Sequence, residues 1–192
     1  MFNDRSLAEL ESDFAAFARA AVLGGSPATT LTTLLHIGAE HAVVLSGQGE
    51  NPEIVRRLDL GASRIARAFF HHDPPMSHEI ERAIDRVEDE VMQLRRAADA
   101  NATLVSTDPG LCEWGAVSGP KMPIETVEQW FQRLASASLG HPGALQGLPA
   151  GREAAATLLV LREFMHHLGF ASVSFAAASR STGQREPPAV SS

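Results

Sequence analysis

TTLLHIGAEHAVVLSG, residues 32–47, contains two runs rich in β-branched and aliphatic side chains, separated by Gly38-Ala39-Glu40-His41. Such a pattern predicts a strand, a tight turn and a second strand, over about 31–37 and 42–46. Strand–turn–strand loops often cradle phosphate, because glycines let backbone N–H groups approach the anion. This turn has a single glycine, Gly38. It reads as a phosphate loop, a metal site, or a hairpin kept only as scaffold.

Outward from the hairpin, a third β-rich run, 54–60, follows the turn GQGENPE. Upstream, residues 6–22 repeat Leu7, Leu10, Phe14, Phe17 and Ala21 at helical spacing. Downstream, 61–70 reads as a short helix that stops at Asp73-Pro74-Pro75. Ser77 is expected to cap a helix striped by Ile80, Ile84, Val87, Val91 and Leu94. Residues 103–106 form a short strand ending in Asp108-Pro109-Gly110. Pro123 suits the first turn of a helix with Ile124, Val127, Phe131 and Leu134 on its inner face. Residues 152–168 are apolar nearly all round and predict a buried helix, and 171–178 a last strand. The expected fold is α/β: a mixed sheet of about five strands, the first three antiparallel, with helices packed on it. The expected organisation is an N-terminal helix within 1–28, one lobe over 29–179 and a flexible polar tail at 180–192.

Composition narrows the function. At 192 residues, 44% hydrophobic and 20% charged, the chain is long enough to bury a core without staples. A formal charge of −7, with Lys121 the only lysine, argues against nucleic acid or an anionic membrane as partner. Cys112 is alone, so no internal disulfide forms and a reducing, cytoplasmic setting is expected. The acidic N-terminus does not read as a signal peptide, and no apolar run approaches the roughly 18–20 residues of a membrane span.

The order of these segments resembles one lobe of the actin-like ATPase superfamily, built on a ribonuclease H-like core. More narrowly, it resembles the second lobe of the exopolyphosphatase/guanosine pentaphosphate phosphohydrolase (Ppx/GppA) family. Leu35-His36-Ile37-Gly38 sits where that family has Asp-Ile-Gly-Gly-Gly-Ser-x-Glu. LDLGASRIARAFFHHDPP (58–75) resembles its strand-to-helix segment, and residues 122–169 resemble its helix, Gly-Leu-x-x-x-Arg link and buried helix. The resemblance covers about residues 10–180. It implies a phosphohydrolase ancestry in which two lobes close over a phosphate chain, and a single lobe is expected here.

Departures from that pattern set the functional expectation. The family Asp falls on His36, the second Gly on Ala39, the third on Glu40, the Ser on His41 and the Glu on Val43. A carboxylate at Glu40 opposes an anion: two like charges about 4 Å apart cost about 1 kcal/mol in bulk water and about 4 kcal/mol near a protein surface. The second family loop becomes LVSTDPGLCEWG, with Ser106, Thr107, Asp108 and Gly110 as its possible ligand-facing residues. The expectation is a degenerate, non-catalytic lobe with no catalytic residues, no metal and no cofactor, working as an interaction or regulatory module. A protein partner or a second copy would cover its cleft face, with Trp114 and Trp130 as possible anchors. The alternative is a phosphohydrolase completed by a separate first-lobe protein; Mg²⁺ is expected only in that case.

Other candidates read more simply. His36, Glu40 and His41 as zinc ligands conflict with strand alternation, which points 40 and 41 apart, so a polar, solvent-facing hairpin is expected. His71-His72 and His166-His167 read as helix-end residues against the helix dipole. Cys112 beside Glu113 reads as a small buried residue rather than a nucleophile.

Overall fold

The computed structural model describes residues 4–95, 99, 101–106, 108, 111–112, 119 and 121–175. The expected tail at 180–192 lies outside these residues. Among the described residues six strands form one sheet: β1 (Leu31–Ile37), β2 (Ala42–Gln48), β3 (Ile54–Leu58), β4 (Thr103–Ser106), β5 (Lys121–Pro123) and β6 (Ser172–Phe175), in spatial order β3-β2-β1-β4-β6-β5. β1, β2 and β3 pair antiparallel, with Leu35 opposite Val44 and Leu45 opposite Val55. β1–β4 and β4–β6 are parallel, which requires the intervening helices as crossovers.

The mixed sheet carries one strand more than the sequence predicts. β5 is three residues long, ends in Pro123 and pairs antiparallel with β6 at the sheet edge. Its shortness hides any alternation, and an edge is where a strand tolerates proline.

Side-chain alternation divides the core. Leu35, Ile37, Ala42 and Val44 face the larger cluster, which holds Ile65, Ile80, Val87, Phe131 and Phe164. Leu34, Leu45 and Val105 face the other way, onto Leu10 and Phe14 of α1 (Leu7–Leu23). Covered on both faces, β1 is buried along nearly its whole length. Ser6 caps α1: its Oγ accepts the Glu9 N–H at 3.3 Å, and its own N–H donates to the Glu9 carboxylate at 2.8 Å.

The helical layer comprises α2 (Ala62–Phe69), α3 (Ser77–Met92), α4 (Ile124–Ser138) and α5 (Arg152–Leu168). α5 touches the other three, and twelve of its residues are buried, as its nearly uniform apolarity predicts. It ends at Gly169, whose left-handed backbone (φ 77°) lets its N–H reach the Met165 carbonyl. Among the described residues no helix is long and apolar enough to cross a membrane.

The start of α3 differs from expectation. Ser77 is the first helical residue, not the cap; Glu79 instead turns back on the chain. Its buried carboxylate accepts the His71 N–H at 3.0 Å and the Met76 N–H at 2.9 Å, and lies 2.9 Å from His72 Nδ1. Burial pushes the Glu79 carboxyl up, but the bonds from His72, Met76 and His71 outweigh it and hold the group at about 2. With the folded pKa below the ordinary 4.5, the stabilisation is fully present above pH 4.5 and is lost as pH falls through about 2. Glu79→Gln is therefore expected to lower stability by about 1–3 kcal/mol at neutral pH. Urea unfolding at pH 7, 4 and 2.5 should show this gap closing as the medium acidifies.

Candidate functional site

β1 and β4 lie side by side and parallel, so the segments leaving their C-terminal ends meet. His36, one residue before the end of β1, is 2% exposed, and its Nδ1 stands 3.3 Å from Asp108 Oδ2. Asp108, 1% exposed, follows β4. Its carboxylate also accepts the Ile37 N–H at 3.1 Å and the Leu111 N–H at 3.3 Å. The Asp108 N–H donates to Ser106 Oγ at 3.1 Å, and its carbonyl accepts the Cys112 N–H at 2.8 Å. A carboxylate this deep must have its oxygens satisfied, and here backbone donors from two neighbouring segments do so. His36 is thus not on a solvent-facing hairpin. Covering both faces of β1 buries it, and Asp108 supplies its polar neighbour.

The turn after β1 bonds outward on two sides. Toward the helices, the carbonyls of Gly38, Ala39 and Glu40 accept the N–H groups of Ala62 (2.9 Å), Arg64 (3.0 Å) and Gly61 (3.3 Å). These are donors at the start of α2 that lack a partner within the helix. The approach is close enough that a Cβ on Gly61 would run into the Ala39 carbonyl. Glu40 meets Arg67 of α2 in a two-pronged pair at 2.7 and 2.9 Å. His41 Nδ1 lies 3.2 Å from Asp59, which also takes Arg64 at 3.2 Å.

Toward α1, the turn meets the segment that leads into that helix. The Glu40 N–H donates to Asp4 Oδ1 at 3.1 Å, and the same oxygen lies against Gly38 Cα, where any Cβ would displace it. Arg5 pairs with buried Asp13 on α1. A cavity of about 380 Å³ opens beside this contact, with Val43, Val55 and Leu7 as apolar wall and Arg5, Arg57, His36 and His41 among its polar lining.

The chemistry of these groups is that of a self-satisfied hairpin. Among the described residues no three His, Cys, Asp or Glu side chains gather as metal ligands would. Cys112 is half-buried rather than buried, and burial together with the Asp108 charge pushes its thiol up, away from thiolate reactivity.

No protein-family model matches the sequence, and neither does any curated protein sequence. Solved structures do match. The Ppx/GppA phosphatase of Aquifex aeolicus, in its type II variant, superposes with a TM-score of 0.67 at 15% identity over 88% of this chain. The chain has a Ppx/GppA fold. An exopolyphosphatase-like protein (TM-score 0.64, 14% identity, 88% of this chain) and an exopolyphosphatase from Cytophaga hutchinsonii (0.60, 12%, 87%) have it too. The chain spans only 59%, 62% and 60% of the lengths of these three proteins.

Within this Ppx/GppA fold, the residues singled out from sequence separate. His36, Ser106 and Asp108 come together at the ends of β1 and β4, while Gly38, Ala39, Glu40 and His41 form the turn beside them. Trp130 is 7% exposed within the larger core, so it is not a surface anchor; α4 turns that face onto α5. Thr107, Gly110 and Trp114 lie outside the described residues. Sequence reasoning missed Asp4, Arg5, Gly61 and Arg67. Only Gly61 carried a signal, a glycine at a strand-to-helix junction.

Asp108→Ala removes the acceptor of two backbone N–H groups and the partner of buried His36. It is expected to cost about 1–3 kcal/mol or more, the cost of leaving buried donors without their acceptor. Chemical denaturation would check this; a change below about 0.5 kcal/mol, the level of an ordinary surface substitution, would contradict the arrangement.

Proposed function

We propose that this chain is a non-catalytic Ppx/GppA-fold lobe that acts as an interaction or regulatory module. The observation that carries the reading is where the polar groups of the β1–β2 turn go. The Ile37, Gly38 and Glu40 N–H groups bond to Asp108, His41 and Asp4, and Glu40 bonds to Arg67. Donors already engaged inside the protein are poor phosphate ligands, and a carboxylate in the turn adds repulsion. His36, buried against Asp108, supplies no acid to direct water or a cation. No cofactor or metal follows from this chemistry.

A partner is part of the proposal. A protein partner or a second copy would cover the cleft face at the ends of β1 and β4; Met76 and Leu139, at the start of α3 and just past the end of α4, are further exposed apolar side chains. A second copy of the chain or a separate protein fits that surface better than nucleic acid or membrane, given the charge of −7. The lone cysteine supports a reducing compartment such as the cytoplasm.

The competing reading is a phosphohydrolase completed by a separate lobe, using Mg²⁺. Incubation with polyphosphate or guanosine pentaphosphate and Mg²⁺, with the chain alone and with cell extract to supply a separate lobe, should give no phosphate release that depends on the chain. Release that disappears in both Glu40→Gln and Asp108→Asn would overturn the non-catalytic reading.

A further inference from the structure

We propose that the end of α1 and the β2–β3 turn form a two-fold interface between two copies of this chain, at the pole opposite the β1–β2 turn. The register fixes the place. Leu31 at the start of β1 pairs with Gln48 at the end of β2, so the β2–β3 turn and the link from α1 into β1 share the end of the sheet away from Gly38. There Leu23, the last residue of α1, is 89% exposed, and Val22 beside it is 44% exposed. A cavity of about 340 Å³ opens against them, walled by Ala18, Val22, Leu23 and Ala28, with Arg19 and Glu50 as its charged lining. The chain thus sets a protruding leucine next to an apolar hollow with room for an aliphatic side chain.

Shape and charge both name a second copy as the occupant. A two-fold contact needs a patch that carries both halves of its own complement. Here leucine and hollow lie side by side, so an axis between them seats each Leu23 in the other copy's cavity. The charges match in the same way. Arg19 and Glu50 pair within the chain, each about half exposed, and the axis brings each Arg19 to the other copy's Glu50. Two chains of charge −7 repel over most of their surface and approach at least cost where ionised groups are absent. Between Arg19 and Glu40 the sequence has no Asp, Glu, Lys or Arg, and residues 22–25 and 27–29 of that stretch are exposed. The inference goes beyond the proposed function: it gives the second copy the far pole and leaves the cleft face to a separate protein.

The test is sedimentation velocity of the full chain, from micromolar to submillimolar concentration, with circular dichroism to check that each variant keeps its fold. Wild type should sediment as monomer and dimer in reversible exchange. Leu23→Asp should weaken dimerisation at least about hundredfold, since a two-fold contact loses the leucine twice and each is worth about tenfold or more. Leu139→Asp, past the end of α4 on the opposite face of the sheet, should match wild type. Arg19→Glu and Glu50→Arg should each dimerise less than wild type when alone. An equimolar mixture of the two should recover wild-type dimerisation, because opposite charges then meet across the axis while the pair within each chain stays mismatched. A wild type that remains monomeric throughout, a dimer that Leu23→Asp leaves intact or Leu139→Asp abolishes, or a mixture no better than its components would each overturn the proposal.

Discussion

Asp108 places a carboxylate where almost no water reaches, and the polar architecture around the end of β1 follows from satisfying it. Its oxygens draw in the Ile37 N–H from β1, the Leu111 N–H from its own loop and the ring of His36. Strands β1 and β4 are thereby tied just beyond their last ladder pair, Leu34 opposite Val105. With Ile37 fixed, the next carbonyls fall on the first turn of α2, and Gly61 permits the contact. One buried acid thus fixes the hairpin, and the hairpin positions the first helix of the packed layer.

That geometry explains how a turn with altered residues remains ordered. A phosphate loop is held partly by its ligand, whose oxygens satisfy inward-facing amides. Here the same kinds of donors are satisfied from within, by Asp108, His41 and Asp4, while Arg67 answers the charge of Glu40. The replacements make sense together. A histidine at position 36 fits a buried site facing a carboxylate, and a glutamate at position 40 fits an arginine one helical turn into α2.

Much of the fold was legible in the sequence because its elements are periodic. The stripe of α3, the all-round apolarity of α5 and the paired runs of β1 and β2 each carry a local signal that tertiary packing reinforces. β5 was illegible because three residues have no period, and the cap of α3 because a glutamate inside the helix took the role expected of Ser77. The candidate site was only half legible. Asp108 stood out as an acid after a strand, and the turn stood out by its single glycine. What could not be read was partnership: Asp4 and Glu40 are 36 positions apart, Ile37 and Asp108 are 71 apart, and no local pattern encodes either pairing. His36 was misjudged for the same reason, since its burial depends on α1 covering a face that the hairpin alone leaves open.

The central claim is that the donors of the β1–β2 turn are engaged inside the protein. Hydrogen–deuterium exchange resolved at the individual amides measures this directly. Ile37 and Gly38 are expected to exchange only through large-scale opening, as slowly as the core amides of β1, and Glu40 more slowly than an exposed loop amide but faster than those two. Exchange of Ile37 and Gly38 at the rate of an unstructured peptide, in a chain whose β1 core stays protected, would contradict the account.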